Sequence, residues 1–145
     1  MVATCDLAIA EEGTRFGVNG VNIGLFCSTP MVALSRNIHR KKAFEMLTTG
    51  QFADAAKAEQ MGLINQIAPI GSLDAQVDEM AQLIASKLGS AVRIGKSAFN
   101  DQLEMDLAAA YEFTGQVMVQ NMLNRDTNEG INAFIEKRDP DWADK

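Results

Sequence analysis

Residues 16–35 read FGVNGVNIGLFCSTPMVALS and hold no charged side chain, in a chain that is 22% Asp, Glu, Lys and Arg. Gly17, Gly20 and Gly24 punctuate the run, and Thr29-Pro30 follows. Glycines inside an apolar run let backbone approach a strand or a ligand closely. The run therefore reads as the wall of a site. It is also where strand pattern gives way to helix: Ser28 or Thr29 can cap a helix with Pro30 at its first position, where the missing N–H does no harm. The wall offers no acid and no base, and Cys27 is its only strong nucleophile.

Outward on the N-terminal side, residues 2–10 (VATCDLAIA) read as a strand wanting burial on both faces. Glu11-Glu12-Gly13 reads as a solvated turn, residues 14–18 as a short second strand, and residues 21–24 as a third. A chain opening directly on a buried strand is either a domain that starts there or one whose earlier part is missing. On the C-terminal side, helical pattern runs to Thr48-Thr49-Gly50 with a break near Asn37-Ile38, and Gly50 stands where a left-handed cap belongs. Residues 54–61 read as a short Ala-rich helix closed by Gly62, and residues 63–68 as a strand ended by Pro69 and Gly71. Ser72 then caps an amphipathic helix carrying Leu73, Val77, Met80, Ala81, Ile84, Ala85 and Leu88, which Gly89 stops. The last third reads as all helix. One long helix carries Leu103, Leu107, Tyr111, Val117, Met118 and Met122, and a final one, capped by Thr127, ends at Asp139-Pro140.

The 145 residues carry a net charge of −6 and are 47% hydrophobic, which fits one globular chain with a real core. An acidic balance argues against a general nucleic-acid binder, which needs a basic face for phosphates. Two cysteines, Cys5 and Cys27, form no disulfide framework and fit a reducing compartment. No apolar run is long enough for a membrane span. The N-terminus lacks the basic region of a signal peptide, so the expected location is the cytoplasm or the mitochondrial matrix.

Several spaced patterns coincide. Cys5-Asp6-Leu7-Ala8-Ile9-Ala10 precedes Phe16 and Gly24; Ala43, Glu45, Met46, Leu47 and Thr49-Gly50 follow; then come Ala55, Ala58, Gly62-Leu63-Ile64-Asn65 and Ile67; and Glu129-Gly130-Ile131-Asn132-Ala133-Phe134-Ile135-Glu136-Lys137-Arg138 stands near the end. In this order they resemble the enoyl-CoA hydratase/isomerase (crotonase) family over essentially the whole chain. GVNIGLFCSTP looks like the run in members described as enoyl-CoA hydratase domain-containing proteins, often assigned to mitochondria. The resemblance implies an α/β fold: the C-terminal part of a crotonase-like ββα spiral over residues 1–70, then a helical oligomerisation and CoA-contact region over residues 71–145. It also implies that the first turns of the spiral, with the backbone donors of the oxyanion hole, would precede Met1. The missing-lead-in reading therefore gains over the other.

The resemblance also implies where chemistry would sit. Two glutamates move protons in the authentic hydratases. One falls before Met1 and the other, four residues after Phe16, falls on Gly20. No catalytic residue is expected within the chain. Gly20, Val21, Gly24, Leu25 and Phe26 would line an acyl pocket, with tight backbone packing as the alternative role for the glycines. Lys137 matches a lysine that reaches the phosphate end of CoA, and Met118 an apolar residue packing against CoA. A CoA thioester is the expected ligand, with no further cofactor and no metal: His39 is the only histidine. Arg36, Arg40, Lys41 and Lys42 around it read as a solvated helix face or as attraction for CoA phosphates. A homo-oligomer, trimer-related by resemblance, is the expected state. Two function classes stay open: a thioester-binding family member with hydration unsupported by its own residues, or a non-catalytic assembly module or gene fragment.

Overall fold

Helix signals are local, and the computed structural model, which describes residues 1–142, places most of them where the sequence does. Helix α1 spans Ser28–Asn37 and α2 spans Arg40–Thr49, so the chain does break at Asn37-Ile38. Gly50 caps α2 in the left-handed conformation, φ 60°, with its N–H donated to the Met46 carbonyl. The Asn22 side chain lies against Gly50 and donates to its carbonyl at 3.4 Å, which leaves no room there for a Cβ. Helix α3 (Ala55–Gln60) starts at Asp54, whose carboxylate accepts the Lys57 N–H at 2.9 Å.

The strands are shorter than the apolar runs suggest. Residues 2–10 do not form one strand: Val2–Thr4 is a 3₁₀ turn, and β1 covers only Ile9–Glu11. The reason is local hydrogen bonding. Thr4 N–H and Cys5 N–H return to Met1 and Val2 carbonyls, and the Thr4 hydroxyl donates to Met1 O at 2.6 Å. Cys5 is accordingly exposed rather than core. Strand β2 is Arg15–Phe16, and the expected third strand is a 3₁₀ turn, Asn19–Ile23. Strand β3 is Ala53–Asp54 and β4 is Gln66–Ala68.

β1 pairs in parallel with β4 (Ile9 opposite Gln66, Ala10 opposite Ile67), and β2 pairs antiparallel with β3 (Phe16 opposite Ala53). Asn65 extends the parallel pair, donating its N–H to Ala8 O at 2.7 Å and accepting the Ala8 N–H through its side chain at 2.8 Å. Glu11, expected in a solvated turn, instead lies in β1 and accepts the Gly71 N–H at 2.5 Å. These ties close residues 8–71 around a core of Ala10, Leu34, Ile38, Ala43, Met46, Leu47, Ala53, Ala58, Leu63 and Ile64.

The chain packs as two compact units, Met1–Met80 and the remainder from Ala81. Helix α4 (Leu73–Ala85) ends before Gly89, and Gly89 opens a helix instead of stopping one: α5 spans Gly89–Gln102. A glycine read as a terminator is here the first helical residue after Leu88 at the N-cap. Helix α6 is Leu107–Met122, with the Asp106 carboxylate accepting the Ala109 N–H at 2.9 Å. Helix α7 is Arg125–Glu136. Its cap is Asn124, not Thr127, whose hydroxyl donates to Asn121 O at 2.7 Å. In the second unit α5 packs on α6 and α6 on α7, yet α6 buries no residue: Leu107 and Tyr111 are both more than 70% exposed, as is Leu123 just beyond its end.

Candidate functional site

The charge-free run folds into a turn and a helix start rather than a strand wall. Gly20 and Val21 lie within the 3₁₀ turn Asn19–Ile23, and Gly24 closes it at φ 81°, its N–H donated back to Val21 O. That φ is the reason for glycine at 24, since nothing lies near its missing Cβ. Gly20 has a different reason. A Cβ there would meet Leu25 O at 2.7 Å and Cys27 Sγ at 2.8 Å. The turn is drawn tight over Gly20 by two bonds: Leu25 N–H donates to Gly20 O at 3.0 Å, and Gly20 N–H donates to Cys27 Sγ at 3.3 Å. Cys27 thus serves as a backbone acceptor, half-buried beside the core. Leu25 and Phe26 remain exposed, at 64% and 45%.

Met118 and Lys137 both belong to the second unit. Met118 sits mid-α6, 59% exposed. Lys137 caps α7 at φ 56°, the only non-glycine with positive φ among the described residues. Its geometry is enforced by Lys137 N–H to Phe134 O at 3.3 Å and Arg138 N–H to Ala133 O at 3.0 Å. Beside it, Arg138 grips Glu129 with two guanidinium nitrogens, at 2.6 and 3.1 Å, and Glu136 with its Nε at 2.6 Å. Glu129 also accepts the Asp141 N–H at 3.0 Å. These hydrogen bonds hold the Glu129 carboxyl down from its ordinary 4.5 to about 2, while the same contacts raise the Arg138 guanidinium.

A depressed acid stabilises the fold fully above its unfolded pKa and loses that contribution as pH falls through its folded one. The hold of Arg138 on α7 is therefore expected to be intact above pH 4.5 and to fade toward pH 2. Amide exchange along α7, followed down that range, should show protection falling. In Arg138→Ala that pH dependence should shrink to the part carried by the Asp141 N–H and Arg125.

Two cavities lie within single units. One of about 520 Å³ in the first unit is lined by residues 39–61, among them His39, Lys42, Phe52 and Lys57. One of about 350 Å³ in the second unit is lined chiefly by apolar groups of α5 and α7 with Trp142. Asn121 also borders the second, its buried Oδ1 lacking a hydrogen-bond partner. None of the seven expected site residues lines either cavity. The sequence reading missed the first cavity because its lining spans a helix, a strand and a second helix without periodicity. It also missed the Glu129–Arg138 grip, for which opposite charges at the two ends of EGINAFIEKR were the available signal. Among the described residues, no cluster of three His, Cys, Asp or Glu side chains could hold a metal, and no helix is long and apolar enough to cross a membrane.

A family model described as enoyl-CoA hydratase/isomerase matches residues 1–145. The protein from Rattus norvegicus called enoyl-CoA hydratase domain-containing protein 3, mitochondrial, is 46% identical over 143 residues, which are 99% of this chain and 48% of that protein. Among solved structures, an enoyl-CoA hydratase of Mycobacterium smegmatis superposes with a TM-score of 0.94 at 48% identity, over 97% of this chain and 55% of its own. Human enoyl-CoA hydratase domain-containing protein 3 superposes with a TM-score of 0.93 at 46% identity, over 97% and 56%. The chain thus spans about half the length of the relatives it matches.

Proposed function

Because the chain belongs to the enoyl-CoA hydratase/isomerase family, with the α/β architecture of the C-terminal part of a crotonase-like fold, we propose that it binds acyl-CoA thioesters and that its own side chains do not hydrate them. The observation that carries this reading is Gly20. Hydration needs a base for water and an acid for the α-carbon, each worth about 10²–10⁴-fold in rate. By resemblance one of the two glutamates falls on Gly20, where backbone and Cys27 Sγ fill the place of a Cβ. Exposed Leu25 and Phe26 remain to meet an acyl chain. Calorimetry with CoA and butyryl-CoA should show saturable binding, and crotonyl-CoA absorbance should decay no faster than in buffer. No binding at millimolar ligand removes the thioester reading; turnover removes the non-catalytic one.

Lys137 is the proposed phosphate contact, and its backbone separates that role from a structural one. A lysine held at φ 56° is strained, so Lys137→Gly is expected to stabilise α7 by about 1 kcal/mol. The same change should weaken CoA binding, while Lys137→Arg retains it. Thermal melts and calorimetry on the two variants check both halves; a variant that gains stability and keeps CoA affinity assigns Lys137 to the cap alone.

A second reading, an assembly module, is favoured by the apolar surface of α6 and α7. Leu107, Tyr111, Leu123, Phe134 and Ile135 are 70% or more exposed, far beyond scattered surface residues. We infer a homo-oligomer, trimer-related by resemblance, that covers this face. A monomer by light scattering at micromolar concentration would contradict it. The mitochondrial designation of the rat relative supports a mitochondrial matrix location.

A further inference from the structure

The cavity of about 520 Å³ in the first unit includes none of the acyl-pocket residues and neither Met118 nor Lys137; of the basic cluster around His39 only Lys42 lines it. Its volume falls within the roughly 300–1,000 Å³ of small-molecule sites. Its deep part is apolar: Met46 and Ala53 are buried, and half-buried Met61 stands beside them. Phe52 is held from two sides. The Arg15 guanidinium lies 4.6 Å from its ring centroid, and Gly17 packs so closely that a Cβ would stand 2.7 Å from the ring. The aromatic surface is therefore preset, while two methionines offer a floor that adapts to an apolar body.

The outer part is cationic in a chain of net charge −6. Lys42 and Lys57 line it with side chains 58% and 68% exposed, and Glu45 is the only carboxylate in the lining. Lys42 is engaged by Glu45 at 2.9 Å, whereas Lys57 reaches Asp54 only at 3.9 Å. Asp54 lies outside the lining and, at 3.9 Å, beyond hydrogen-bond reach of the Lys57 ammonium, so Lys57 keeps its donors for a ligand while Lys42 is taken up by Glu45. His39 adds a donor: its Nδ1 accepts the Lys41 N–H at 3.3 Å, which assigns the ring proton to Nε2.

We propose that this cavity binds a small amphipathic monoanion, a carboxylate at the Lys57 end with its apolar body against Met46, Phe52 and Met61. One ammonium, Lys57, with no hydrogen-bonded carboxylate suits a single carboxylate. A phosphate dianion is better met by forked guanidinium groups, and no arginine lines the cavity.

The test is a protein-detected NMR titration of the full chain with octanoate, octylamine and inorganic phosphate. Octanoate should shift the resonances of His39, Phe52 and Met61 saturably, and the other two should leave them in place. Lys57→Glu should weaken octanoate binding roughly tenfold or more. Lys57→Met, which removes the charge without adding a carboxylate beside Asp54, should weaken it in the same direction and covers the case in which Lys57→Glu fails to fold. Equal shifts with octylamine would mean that no head group is read and would overturn the proposal. Saturation of the same resonances by phosphate, or unchanged octanoate affinity in the folded Lys57 variants, would overturn it as well.

Discussion

Leu47→Ala is expected to lower the unfolding free energy of the first unit by about 2–5 kcal/mol, the range for emptying a buried leucine site. Leu47 is 2% exposed and sits on the inner face of α2 with Ala43 and Met46. The core it joins is made of small parts: four of its ten residues are Ala10, Ala43, Ala53 and Ala58. Alanines cannot extend into a void, so the loss depends on how far Leu34, Ile38, Met46, Leu63 and Ile64 can close over it. Against a typical total of about 5–15 kcal/mol, such a loss brings the unit near its unfolding midpoint. Urea melts followed by far-ultraviolet circular dichroism would measure it. Leu25→Ala is the control: Leu25 is 64% exposed, and its removal should stay within about 0.5 kcal/mol. Equal effects from the two variants would mean that α2 is not anchored through Leu47.

Helix ends were legible in the sequence where a residue type has one conformational use. Thr48-Thr49-Gly50 signals a left-handed cap, which occurs as read, and the short helix read over residues 54–61 is there as Ala55–Gln60, with Asp54 as its cap and not its first residue. The opening of the chain was not legible. Residues 2–10 have the composition of a buried strand, but the choice between strand and 3₁₀ turn rested on Thr4 and the Met1 carbonyl, a local bond that composition does not reveal. Gly89 misleads for a related reason: glycine ends helices through positive φ, and Gly89 is not among the positive-φ glycines of the described residues. It opens α5, so the helical stripe ending at Leu88 belongs to two elements.

The candidate site divides in the same way. Glycine at 20 and 24 was visible as letters, but the two positions need glycine for unlike reasons, one for space and one for φ. Only the fold separates them. Cys27, in the sequence only the run's strong nucleophile, accepts the Gly20 N–H, a bond that no sequence pattern announces. Of the cationic cavity only the basic cluster at His39 and Lys42 was visible in the sequence; that Phe52, Lys57 and Met61 join it depends on the turn between α2 and β3.

Restoring the family carboxylate by Gly20→Glu is expected to fail as a rescue and to destabilise the fold. The new Cβ would stand 2.7 Å from Leu25 O and 2.8 Å from Cys27 Sγ. Neither neighbour is a flexible tip. Leu25 O is backbone inside the turn that Leu25 N–H closes on Gly20 O, and Cys27 Sγ is held by Gly20 N–H itself. Relief therefore requires the turn to open, at about 1–3 kcal/mol for overpacking of this kind, together with loss of the thiol–amide bond. Gly20→Ala should show most of the same destabilisation in a urea melt, because the clash begins at Cβ and not at the carboxylate. Cys27→Ala in the Gly20→Ala background should recover part of it by vacating the sulfur position. In a crotonyl-CoA assay Gly20→Glu should hydrate no faster than the parent chain, since a carboxylate on an opened turn is unpositioned. If instead Gly20→Glu keeps the parent stability and accelerates hydration by about 10²-fold or more, then the turn accommodates an acid, and the shape of residues 19–27 is not what bars proton transfer at this position.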